Sequence, residues 1–326
     1  MRVLCAGSFM VEIVAAHLPS IPGPGGLVYA PRGIVATVGG HAANVSIDLA
    51  RLGQEGVAAA GCIGDDPLGR FVEGLLRSEG VDARPEYSSS GTAKDMSLTV
   101  EGEDRRFVAE LAANTMLSPG HVKGLLSERP SVLYMGTVGG LRLIDPTLRG
   151  VLAAAHAAGA ATFVDVIPPT DPGWSHLIPA LPKVDVLHCN EREARSITSK
   201  GPEDAARALI RLGANTTVIS LGAGGLVAAG RDVLLSMPAF RVDEVDATGA
   251  GDALCAGIIR SLLSVGADPR EPTLDQLREA LLWGQATGAA CVTLPGATAG
   301  ITLERVTALV EEQGRKVREQ TRTRTL

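Results

Sequence analysis

Six short apolar runs, at 3–7, 57–61, 131–136, 161–165, 184–189 and 216–221, recur along the chain and constrain its fold more than any other feature. None alternates apolar with polar side chains, so each reads as a strand covered on both faces. Helical patterns lie between them at 42–52, 68–78, 146–158 and 202–212. They are closed by Gly53, Gly80, Gly159 and Gly213, residues that take the left-handed conformation of a helix stop without strain. Strand and helix in repeated alternation predict a three-layer α/β fold, doubly wound around a mostly parallel sheet. A chain of 326 residues fits one large α/β domain or two smaller ones, and the alternation is read as one domain over 1–314. Aromatic residues make up only 3%, so Val, Leu, Ile and Ala must fill the core.

Two stretches break the rhythm. Residues 10–38 include Pro19, Pro22 and Pro24 and several glycines, with β-like pieces at 27–29 and 34–38. Residues 85–111 hold β-like pieces at 96–100 and 105–111 around the turn-like 101–104. Both read as antiparallel hairpins inserted into the domain, able to pair in space as a small β-sheet lid over a cleft. From Gly249 onward the chain turns helical, at 250–265, 274–292 and 302–314. The charged tail, 315–326, lacks apolar periodicity and is expected to fray. No internal repeat is present.

Charge and cysteine usage narrow the function classes. Thirty basic against 36 acidic residues leave a net charge of −6, which argues against nucleic acid or an anionic membrane as partner. No run of 18 apolar residues occurs, and Glu12 interrupts the apolar start, so the first segment reads as a buried strand rather than a leader. Five scattered cysteines without a C-x-x-C pair fit reduced thiols in a cytoplasmic protein. Walker, zinc-protease, hydrolase-elbow and dinucleotide-binding signatures are absent.

Four glycine- or carboxylate-bearing runs carry potential chemistry. In Asp246-Ala247-Thr248-Gly249-Ala250-Gly251-Asp252, small residues lead into an apolar helix, so the amides of Gly249, Ala250 and Gly251 can point at an anion from the helix N-terminus. Asp252 in the first turn should stay ionised beside N–H donors and take a proton from an attacking hydroxyl, or it simply stabilises the helix start. Asn190 and Glu193 follow a strand end one helical turn apart. They suit the water shell of Mg²⁺, and the same spacing suits a capping box. In Gly39-Gly40-His41-Ala42-Ala43-Asn44 the glycines allow close ligand approach and Asn44 offers both donor and acceptor, whereas His41 reads as a surface histidine at a helix start. Gly222 and Gly225 border a glycine turn that either passes beneath a nucleotide or closes a hairpin into 226–229.

Together these motifs resemble the ribokinase-like (PfkB) family of carbohydrate and nucleoside kinases over nearly the whole chain. The run 246–252 is close to the family's D-T-T-G-A-G-D, with Ala247 the one change. Residues 39–44 match its G-G-x-x-x-N, Asn190 and Glu193 its N-x-x-E, and 64–69 its G-x-D-x-x-G. The resemblance implies transfer of the γ-phosphoryl group of ATP to a sugar hydroxyl. Asp252 would be the base and Gly249, Ala250 and Gly251 the anion hole. Asn190 and Glu193 would organise Mg²⁺ through water, while Gly222, Gly225, Thr248 and the segment 283–285 with Gln285 would border the nucleotide. Gly39, Gly40, Asn44, Glu12 and the lid's Arg105 would hold the sugar. It further implies a K⁺ site near Asp246 and a homodimer formed through the lid. Where many members carry Asp, five residues after the glycine ending the first strand, this chain has Glu12, one methylene longer.

Three other readings compete. A nucleoside kinase shares the reaction, although few aromatics are present to stack a base. An anionic acceptor would use Arg32, Arg105, Arg106 or Arg142. A non-catalytic sugar-binding regulator on the same fold predicts a damaged base or anion hole, and both runs are intact.

Overall fold

A computed structural model describes residues 1–103, 106–169 and 173–325. Its strands are β1 Val3–Ala6, β2 Met10–Leu18, β3 Val35–Gly39, β4 Val57–Ala60, β5 Cys62–Gly64, β6 Asp82–Ala83, β7 Glu86–Ser88 and β8 Lys94–Val100. They continue as β9 Arg106–Glu110, β10 Val132–Val138, β11 Ala161–Val166, β12 Val186–Asn190, β13 Thr216–Ser220, β14 Leu226–Ala229, β15 Val233–Met237 and β16 Arg322–Thr325. The helices are α1 His41–Arg51, α2 Pro67–Ser78, α3 Pro119–Leu125, α4 Leu148–Ala157, α5 Glu191–Thr198 and α6 Pro202–Arg211. Three more follow, α7 Ala250–Ser264, α8 Leu274–Cys291 and α9 Leu303–Gln320.

Among the described residues, ten strands form one sheet in the order β16-β15-β14-β13-β12-β11-β10-β1-β4-β6. From β13 through β6 every pair is parallel, and β14, β15 and β16 extend the sheet antiparallel. The expected three layers appear directly in how β1 divides its side chains. Val3 and Cys5 enter one core with α1, α2, α7, α8 and α9, while Leu4 and Ala6 enter a second with α3, α4, α5 and α6. A strand with both faces buried has no polar positions to alternate with, which is why these runs read as continuous apolar stretches. The chain leaves β1 for β4 on one side and returns as β10 on the other. The crevice beyond the carboxyl ends of β1 and β10 is therefore the topological switch point, where open α/β sheets bind ligands.

A separate four-stranded sheet, β3-β2-β8-β9, forms from the two interrupting stretches. Each supplies an antiparallel hairpin, and the hairpins join through parallel pairing of β2 with β8. The strand expected at 27–29 does not form. Pro22 and Pro24 lack amide donors and the nearby glycines favour turns, so the nine-residue β2 pairs instead.

The tail is a second correction. Helix α9 continues to Gln320, Val317 is buried in the core, and β16 pairs antiparallel with β15 across Val233–Ser236. The exposed Arg and Thr side chains of β16 carry no periodic signal because the strand is held by its backbone on a sheet edge.

Candidate active site

Helix α7 is entered through its N-cap Gly249, whose φ of 77° lies in the left-handed region. A Cβ there would fall 2.3 Å from the Ala297 carbonyl oxygen, so conformation and space both demand glycine. Asp246 pins the approach. Its Oδ1 accepts from the Thr248 amide at 2.9 Å and the Thr248 hydroxyl at 2.7 Å, and its Oδ2 accepts from the Gly296 amide at 2.9 Å. The Ala250 amide makes one long bond, 3.4 Å, to Ala247, whereas the Gly249 and Gly251 amides donate to no described residue. Donors left over at the positive end of a 15-residue helix are what an anion site requires.

Asp252 follows in the first turn, 6% exposed. The expectation that backbone donors keep it ionised is not met: its Oδ2 accepts from Asn44 Nδ2 at 2.9 Å and its Oδ1 lies 3.2 Å from His41 Nδ1. Burial raises its pKa above the usual carboxylate value, opposed chiefly by the charge of His41. His41, read in sequence as a surface residue, is part of the site. Burial works against its charge, but Asp252 and Asp165 outweigh that and push its pKa up to about 10.

Asp165, near the end of β11, is the hub that sequence reasoning missed. Its Oδ1 lies 2.8 Å from His188 Nδ1, and its Oδ2 accepts from the Tyr134 hydroxyl at 3.0 Å and lies 3.3 Å from His41 Nδ1. Burial opposes the charge of Asp165, yet His188 and His41 hold its carboxyl well below the usual range. His188 Nε2 in turn lies 3.2 Å from Ser220 Oγ. The signal that could have found this group is an ionisable residue at a buried position of a mostly apolar strand, at Asp165 and again at His188.

Asn190 and Glu193 form a capping box at the start of α5. Asn190 Oδ1 accepts from the Glu193 amide at 2.9 Å, and Glu193 Oε2 accepts from the Asn190 amide at 2.7 Å. Glu193 Oε1 makes no hydrogen bond to a described residue, and both side chains border the cavity below the α7 start. Asp66, in the motif at 64–69, ties structure together. It caps α2 through the Gly69 amide and accepts from the Thr92 amide and hydroxyl, joining the helix to the root of the lid.

Three cavities run in line past these groups. The first, about 180 Å³, is bordered by Gly222, Gly225, Phe240, Leu254 and Gln285. The turn that carries Gly222 and Gly225 closes the β13–β14 hairpin. Trp283 does not reach this cavity, since its indole packs on the core and donates to Glu279 Oε1. The second, about 360 Å³, holds His41, Asp165, His188, Asn190, Glu193 and residues 247–252. The third, about 290 Å³, lies under the lid with Glu12, Gly39, Gly40, Asn44, Asp95 and Asn114. Asp252, Thr248, Gly249 and His41 border both the second and the third. Arg105 lies outside the described residues.

This arrangement can hold an anion against the α7 amides and bring a hydroxyl to Asp252 from the opposite side. The chain is 27% identical to fructokinase-1 of Oryza sativa, over 90% of its length and 93% of the relative's. It is 31% identical to aminoimidazole riboside kinase of Salmonella typhimurium over 79% and 83%. In structure it is similar to a ribokinase of Arabidopsis thaliana solved with ribose and ATP, with a TM-score of 0.77 at 19% identity, covering 95% and 98% of the two chains. The model of the pfkB family carbohydrate kinases matches residues 1–303, and the chain belongs to that family.

Proposed function

We propose that this carbohydrate kinase uses Asp252 as the base that takes the proton of an acceptor hydroxyl while the amides of Gly249, Ala250 and Gly251 hold the phosphoryl group in transit. The observation that carries the reading is the position of Asp252, buried at the junction of two cavities directly behind uncommitted amides. A loose phosphoryl-transfer transition state asks for positioning and charge stabilisation rather than covalent help. One preorganised donor of this kind is worth roughly 2.7–4 kcal/mol of barrier. Asn44 orients the base by donating to Oδ2, and the charge of His41 opposes the rise that burial imposes on its pKa.

ATP fits along the first two cavities, with its adenosine end near Gly222, Gly225 and Gln285. The ribokinase that shares this fold was solved with ribose and ATP. An oxygen donor set of Asn190 and Glu193, with Oε1 uncommitted, suits Mg²⁺ held through water. When bound, the ion offsets charge on the transferred group. Asp246 already spends its side chain on Thr248 and Gly296, so a K⁺ ion beside it would rely on backbone carbonyls. A homodimer through the lid is supported by large apolar side chains left exposed there, among them Leu27, Tyr29, Ile34 and Val108. Reduced buried thiols at all five cysteines fit a cytoplasmic location.

Coupled ADP release, measured across sugars and nucleosides at varied Mg²⁺, tests the reading. The expected result is acceptor-dependent turnover, with Glu193→Gln raising the Mg²⁺ requirement several-fold. Turnover independent of every acceptor would reject it.

A further inference from the structure

Two buried carboxylates face one imidazole nitrogen, and each is held from behind. Asn44 Nδ2 donates to Asp252 Oδ2 at 2.9 Å, which leaves Asp252 Oδ1 to lie 3.2 Å from His41 Nδ1. His188 Nδ1 sits 2.8 Å from Asp165 Oδ1, which leaves Asp165 Oδ2 to lie 3.3 Å from the same nitrogen of His41. Asp165 Oδ2 also accepts from the Tyr134 hydroxyl at 3.0 Å and, over 3.7 Å, from the Cys255 thiol.

A single proton on Nδ1 cannot serve both carboxylates. The hydrogen bond goes to Asp165 Oδ2, and Asp252 Oδ1, closed off from solvent, accepts none from a described residue. A buried oxygen left so is costly, and a ligand that satisfies it gains that free energy. A divalent cation in place of the proton meets the nitrogen and both oxygens at once.

The spacing suits Zn²⁺. Bonds of about 2.0–2.1 Å to nitrogen and oxygen set the ligand atoms of a tetrahedral ion about 3.3–3.4 Å apart. Both nitrogen–oxygen separations are close to that value, and one ligand atom from each of His41, Asp165 and Asp252 lies within 4.8 Å of the other two. Asn44 and His188 fix the two carboxylates as outer partners fix the ligands of a metal. His41, with its side chain 28% exposed, borders the cavity below the α7 start, so an ion has a way in. A nitrogen ligand also sets this group apart from Asn190 and Glu193, whose oxygens suit Mg²⁺. A deeper triad of Asp165, His188 and Cys255 is wholly buried, and burial pushes the Cys255 thiol far above its usual pKa, so the thiolate a metal needs is costly there.

We propose that His41 Nδ1, Asp165 Oδ2 and Asp252 Oδ1 form a binding site for Zn²⁺ and ions of its class, filled as the Nδ1 proton leaves. Resting on the kinase reading above, the bound ion occupies the base and stops phosphoryl transfer.

The full chain, without a histidine tag and stripped of metal, is titrated with Zn²⁺ by calorimetry and with Co²⁺ by visible absorption. Wild type should bind one equivalent at micromolar concentration and give the intense absorption of tetrahedral Co²⁺. His41→Gln and the isosteric Asp252→Asn should each weaken Zn²⁺ binding at least about tenfold, since losing even an outer partner commonly costs 10–100-fold. Cys255→Ala should bind as wild type does, and thermal melting without metal shows that the variants are folded. No saturable binding by wild type, or binding lost in Cys255→Ala and kept in His41→Gln, overturns the inference. ADP release at buffered free Zn²⁺ should fall along the wild-type binding curve. Binding that leaves turnover undiminished contradicts Asp252 as the base while the metal site stands. If no acceptor is turned over, the kinase reading fails and calorimetry still decides the site.

Discussion

Around Asp252, two buried carboxylates and two imidazoles offset one another. Asp252 and Asp165 carry the negative charge, and His41 and His188 face them from α1 and β12. Protonation of Asp252 would remove the proposed base, so kcat/KM should fall on the acid side, and burial sets that limb above the ordinary carboxylate range. His41→Gln deletes the nearest cation, which favours the protonated form of Asp252 further. The acid limb should then move up by about one pH unit, since an adjacent opposite charge commonly shifts a carboxyl by 1–3 units. A pH profile of kcat/KM checks this, and an unmoved limb would reject the coupling. Asp252 and the glycines before it were legible in sequence because their chemistry lies within seven consecutive residues. His41 was not, because its meaning comes from Asp165, which stands 124 positions away.

At the scale of elements, the site is a set of strand ends and helix starts, and their geometry is what substitutions there would disturb. Gly249→Ala would put a methyl group 2.3 Å from Ala297 O and force the turn, with its amides, to move. The expected outcome is a loss of at least about 100-fold in kcat together with about 1–3 kcal/mol of stability. Gly74→Ala is the contrasting case. Gly74 lies inside α2 with open space around its Cβ position, so stability should rise by about 0.5–1 kcal/mol with kcat unchanged. Activity and thermal melting of the two variants check both, and a Gly249→Ala enzyme of wild-type kcat would contradict the anion-hole geometry. The central strands and most helices were readable to within one or two residues, because burial on both sheet faces and glycine stops leave a local imprint. The lid's β2 and the tail's β16 were not. Their pairing partners are remote, and β16 shows four exposed side chains in a row.

For the whole molecule, the order of the strands does the positioning. Reversal of direction around β1 opens the crevice, β10 to β13 supply its floor, α7 points its free amides across it, and the lid closes the far side. The second and third cavities meet at one buried carboxylate, and in the proposed reaction the transferred group need cross only that junction. Replacing this carboxylate by an isosteric amide keeps the shape and removes the base. With the best acceptor and saturating Mg²⁺ and ATP, Asp252→Asn should lower kcat by about 10²–10⁴-fold while the ATP KM stays within a few-fold of wild type. A kcat within twofold of wild type would contradict the role assigned to Asp252.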